Sequence, residues 1–92
     1  MESILQSEKR CFLCGREVNL ECHHAIHGVS NRKNADKFGL VVWLCQDCHT
    51  GTQGVHHNRE KDLELIKYAQ TRFESEYGSR EEFRRIFGKS WL

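Results

Sequence analysis

Between Glu17 and His24 apolar and polar residues alternate, Val18, Leu20 and Cys22 against Glu17, Asn19 and Glu21. A period of two marks a half-buried strand. It turns Cys22 toward the apolar face and delivers His23 and His24 at its end. Gly39-Leu-Val-Val-Trp-Leu44 reads as a second strand, apolar enough to be covered along most of its length, and it runs straight into Cys45. From Ala25 to Phe38 the chain is polar with no sustained period, which predicts a loop carrying Arg32, Lys33 and Lys37. Past residue 58 the spacing changes. Leu63, Ile66, Ala69, Phe73 and Tyr77 recur every three or four positions, predicting a helix over about 60–77 stopped by Gly78. Ser79-Arg-Glu-Glu82 is a capping box for a second helix with Phe83, Ile86 and Phe87 on one face and Gly88 at its end. Trp91 and Leu92 are expected to pack back on the core, and residues 1–10 to form a short helix or an ordered tail.

At 92 residues the chain is expected to be one domain, residues 1–92, burying about two thirds of the surface its unfolded form exposes. Such a core is thin. Apolar residues make up 38% and aromatics 10%, as in a globular protein, while 29% charged residues and a mean hydropathy of -0.68 argue against a membrane protein. The N-terminus lacks the features of a secretion signal, so the expected location is the cytoplasm. Net charge is +1. The field of the whole molecule gives no independent case for nucleic acid, and any phosphate-binding bases must be gathered locally by the fold.

Five cysteines, two pairs of them spaced Cys-x-x-Cys, change the picture. An odd count in a reducing compartment argues for zinc rather than a disulfide scaffold, and the βαβ context of a thioredoxin-type redox pair is missing. Cys11, Cys14, Cys45 and Cys48 supply the four thiolates of a closed tetrahedral structural site. Such a site contributes on the order of 10 kcal/mol to the folding of small domains, enough to offset a thin core. The fifth cysteine, Cys22, reads as a small buried hydrophobe rather than a ligand. All six histidines fall between His23 and His57. With zinc satisfied by sulfur, clustered imidazoles suit a second, transition-metal or catalytic ion. The plainer reading places one histidine in the zinc site and the others on the surface. His23 and His24, adjacent on extended backbone, diverge and cannot easily chelate one ion together.

Cys11-x-x-Cys14, then Leu20-Glu-Cys-His23-His24, then Leu44-Cys-Gln-Asp-Cys48-His49, resemble the HNH nuclease family, above all the small stand-alone members typical of bacteriophages and prophages. The resemblance covers roughly residues 11–57, with residues 59–92 a helical tail outside it. It implies a small α+β zinc-stabilised domain with a ββα-metal, treble-clef-like core, acting as a metal-dependent endonuclease on the phosphodiester bonds of DNA. His24 would be the general base. His23, His49 and His56 would hold a catalytic divalent ion, Mg²⁺, Mn²⁺ or another, with His57 the substitute for His56. Zn²⁺ would sit among the four cysteines. The family's middle asparagine has no counterpart, since its position falls near Gly39 and Leu40; Asn31, or Asn34, is the candidate for its orienting role. Arg32 and Lys33 are candidates for phosphate contacts, whereas Arg84 and Arg85 read as a solvent face. Two other classes fit the same residues. One is a non-catalytic zinc-bearing module that binds nucleic acid or protein. The other is a nuclease active only with phage packaging or recombination proteins.

Overall fold

The computed structural model describes residues 2–92. Its order is β1 (Leu20–His24), α1 (Val29–Phe38), β2 (Val41–Cys45), α2 (Gln46–His49), α3 (Arg59–Glu76) and α4 (Arg80–Phe87), an α+β arrangement. The two strands pair antiparallel, with Leu20 opposite Cys45, His23 opposite Val42 and His24 opposite Val41. That register puts Cys45 at one end of the ribbon and the histidine pair at the other. Successive side chains alternate between faces, so Glu21 and His23 share a face with Val42 and Leu44, and His24 takes the opposite one. Val41, Val42, Leu44 and Cys45 are buried, so β2 is covered on both faces as its apolar run predicted.

The first strand is shorter than its alternation suggested. Asn19 has φ 54, a left-handed turn that interrupts extended backbone, and Val18 is 61% exposed. Cys22 is exposed rather than turned into the core. Within β1, Leu20, Cys22 and His24 share one face, and the buried position is His23 on the other.

Residues 29–38 form helix α1 where a loop was expected. Ala35 is the one buried residue of that helix, so there was no apolar period to find. Its ends and its neighbours hold it instead. Gly39 closes it in the left-handed conformation, and the side-chain amides of Asn31 and Asn34 donate to the carbonyls of Phe87 and Ile86 at the end of α4, at 3.3 and 3.2 Å.

Helices α3 and α4 match the predicted spans within a residue or two. Asn58 caps α3 by accepting from Lys61 N, and Ser79 caps α4 by accepting from Glu82 N. The buried stripe of α3 is Asp62, Leu65, Ile66, Ala69, Gln70 and Phe73. Leu63 is only half-buried and Tyr77 is 50% exposed. Both lie at the margin of the stripe, though the Tyr77 ring still meets Phe38 at 5.1 Å. Phe73 is the hub of the aromatic core, meeting Phe38 at 5.2 Å, Phe83 at 5.3 Å and Phe87 at 6.1 Å. Trp91 packs on Phe83 at 6.1 Å and donates its backbone N–H to Gln70 Oε1, while Leu92 stays 45% exposed.

The N-terminal segment is an ordered tail, not a helix, with Met1 outside the described residues. It covers the outer edge of β2. Ser3 Oγ donates to Val41 O, Gln6 Oε1 accepts from Trp43 N, and Phe12 N donates to Trp43 O. An edge strand satisfied in this way offers no template for another chain. No helix of the described residues is long and apolar enough to cross a membrane.

Candidate metal centres

Cys11, Cys14, Cys45 and Cys48 bring their sulfurs within 4.8 Å of one another, with Cys14 and Cys45 at 3.6 Å. The knuckle is tied by Gly15 N donating to Cys11 O and Cys11 N donating to Arg16 O, and Arg16 reaches Asp47 of α2 at 3.0 Å. Burial raises the Cys11 thiol pKa, but backbone hydrogen bonds at Cys45, Cys14 and Leu13 outweigh it and bring the value down to about 6. The Cys48 thiol is pushed up, first by burial and then by its hydrogen bonds with Cys11, Cys45 and Cys14. Cys11 is prepared as a thiolate while Cys48 and Cys14 resist a second negative charge. A divalent cation at the centre removes that conflict, and the set fits a structural zinc.

Nitrogen donors gather separately. The chain turns back after α2 through Thr50–His57, where Val55 N donates to Cys48 O at 2.8 Å and His56 N donates to His49 O at 3.2 Å. The turn needs its glycines: a Cβ on Gly51 would stand 2.5 Å from Asp47 O, and one on Gly54 would stand 2.7 Å from His49 O. His56 is thereby laid beside His49, with their Nε2 atoms 2.9 Å apart. His49 Nδ1 donates to Glu21 Oε1 at 2.8 Å, which leaves the Nε2 lone pair facing inward. This is the carboxylate–histidine arrangement that orients metal ligands.

His23 completes the set, its donor within 4.8 Å of those of His49 and His56. It is 2% exposed, and its Nε2 is buried with no hydrogen-bond partner. Burial, reinforced by His49, His27, His56 and His24, lowers its pKa to about 3. The His56 pKa is lowered too, by burial and then by His49 and His27. An imidazole that stays neutral keeps a lone pair to give, and a buried donor without a partner is costly unless something occupies it. The three donors fit a metal ion. His57 is exposed and outside this set.

The cleft, about 490 Å³, is lined by Cys22, His23, His24, His27, Gly28, Val29, Arg32, His49 and His56. His24 Nε2 lies 2.9 Å from Asp36 Oδ1 on α1; a carboxylate only accepts, so Nε2–H donates and Nδ1 carries the lone pair. Arg32 lines the cleft, whereas Lys33, exposed beside it on α1, is not one of its walls. Asn31 does not enter the cleft; its amide donates to His27 O at 2.8 Å and to Phe87 O, so it orients the backbone leading out of β1. Asn34 takes no part in the site. Arg84 and Arg85 are exposed on α4.

His27 was not singled out from sequence. Its Nε2 donates to Asp62 Oδ1 at 2.7 Å, and its ring lies 5.5 Å from His23 and 5.8 Å from His56. The crowding of histidines pointed to it, but nothing local pointed to Asp62 in the first turns of α3.

No protein-family model matches the chain, nor does a curated protein or a solved structure. The chemistry of the cleft is therefore read from its own donors.

Proposed function

We propose that the protein is a metal-dependent endonuclease that hydrolyses phosphodiester bonds in DNA, an HNH-type enzyme in which β1, β2 and α2 serve as the ββα-metal core. The observation that carries this reading is one cleft lined by two kinds of imidazole: His23, His49 and His56, whose donor atoms converge, and His24, outside that set and hydrogen-bonded to Asp36. His23, His49 and His56 would hold the ion. When bound, it supplies charge to polarise the phosphate and stabilise the departing oxygen. His24 accepts the proton of the attacking water at Nδ1, while Asp36 holds its ring. Arg32 offers its guanidinium to a phosphate oxygen, and Asn31 keeps the β1–α1 turn in place. Three imidazole donors favour Co²⁺ or Ni²⁺ over Mg²⁺, with Mn²⁺ the weakest binder of the first-row ions. Zinc among the cysteines has no open position and serves the fold.

The test is nicking or linearisation of supercoiled plasmid by the zinc-loaded protein across Mg²⁺, Mn²⁺, Co²⁺ and Ni²⁺. Wild type is expected to cleave and His24→Ala to lose cleavage, with zinc content and melting unchanged. A fully zinc-loaded, folded wild type inert with every ion and every DNA form would instead favour a non-catalytic binding module, or a nuclease waiting on phage packaging or recombination partners.

A further inference from the structure

We propose that the cleft seats a second divalent cation, held by His27 and Asp62 beside the ion of His23, His49 and His56. His23, His27 and Asp62 each offer a donor atom within 4.8 Å of the other two. His23 thus stands between two donor sets. Its neutral ring has one lone pair, which serves the first ion, so the second is held by the other two side chains.

Asp62 is the unusual member. It is 9% exposed, and among the described residues no lysine or arginine pairs with it; its ion-pair partner is His27. A carboxylate withdrawn from water needs a counter-charge, and the start of α3 meets that need only in part. His27 leans outward, its side chain 43% exposed, so one edge of the pair is open to the cleft it lines. The buried, unpartnered Nε2 of His23 marks the neighbouring cation position, and the three-donor grouping sets His27 and Asp62 directly beside it. One imidazole and one carboxylate leave most coordination positions to water or phosphate oxygens, the manner in which hard divalent ions are held. Both arms are fixed, His27 through Asn31 on its carbonyl and Asp62 through the Asn58 cap of its helix. Two neighbouring cations would clamp the attacking and departing oxygens of one phosphate. That use rests on the nuclease reading, but the binding itself does not.

Zinc-loaded protein freed of other metals is titrated with Mn²⁺ by calorimetry and electron paramagnetic resonance. Wild type is expected to take two Mn²⁺ per chain with a spin-coupled signal. His27→Ala and Asp62→Asn are each expected to take one, without coupling and with zinc content unchanged. His27 is the exposed partner, so its variant stands in should Asp62→Asn fail to fold. One Mn²⁺ per chain in wild type overturns the proposal, as does a coupled pair in the folded variants or loss of all Mn²⁺ binding on His27→Ala. Two Mn²⁺ with no cleavage would sink the reading of a nuclease that acts alone and leave this one standing; one Mn²⁺ with cleavage would do the reverse.

Discussion

Replacing His23 by leucine should make the protein more stable and cost it the ion shared with His49 and His56. Its Nε2 is buried without a partner, a state that costs about 1–3 kcal/mol. Leucine has similar bulk and would join Val42 and Leu44, both fully buried on the same face of the ribbon. Allowing for imperfect fit, the gain in zinc-loaded protein without added cation is about 1–2 kcal/mol, or roughly 4–16 °C in Tm for a chain of this size. The pH dependence provides a second readout. The folded-state pKa of His23 is lowered from 6.5 to about 3, so between those values the unfolded chain binds a proton that the folded one refuses. This group's contribution is therefore complete above pH 6.5 and is lost as pH falls toward 3, by at most about 5 kcal/mol. His23→Leu should lack that component. The assay is thermal melting of both proteins from pH 7.5 to 4.5, with Mn²⁺ titrated into each at pH 7.5. A variant less stable than wild type at pH 7.5, or one that still binds Mn²⁺ at His49 and His56 with wild-type affinity, would refute the reasoning.

Glu21→Gln removes the carboxylate behind His49 and should weaken Mn²⁺ binding about 10- to 100-fold with little change in Tm, measured by calorimetry. Gly54→Ala forces a Cβ to within 2.7 Å of the His49 carbonyl; the turn must shift, at about 1–3 kcal/mol, and the variant should lose Tm and Mn²⁺ affinity together while keeping zinc. Cys11→Ser or Cys45→Ser should remove the structural zinc and the cooperative melt, and a variant that keeps both would reject the four-cysteine site.

The residues that make chemistry were legible where their spacing is local. Two Cys-x-x-Cys pairs announce the sulfur cluster, and Gly51 and Gly54 between His49 and His56 announce a turn tight enough to bring those rings together. Strand β2 and helices α3 and α4 were legible because an apolar period and caps such as Ser79 coincide. Helix α1 was not: residues 29–38 bury little beyond Ala35, and their helix depends on Gly39 and on the amides of Asn31 and Asn34 reaching α4. Cys22 is exposed because the covered face of β1 is that of His23, whose polar ring disguises it in the pattern, while Asn19, with its positive φ, cuts Val18 off from the strand. His24–Asp36 and His27–Asp62 join residues 12 and 35 positions apart, and contacts of that kind appear only once the helices are docked.

In the proposed enzyme, sulfur and nitrogen hold different ions. X-ray absorption at the zinc edge on protein carrying one zinc per chain, and at the manganese edge after Mn²⁺ is added, tests it directly. Zinc should show four sulfur neighbours at about 2.3 Å and manganese only nitrogen and oxygen. Nitrogen in the zinc shell, or sulfur in the manganese shell, would contradict it.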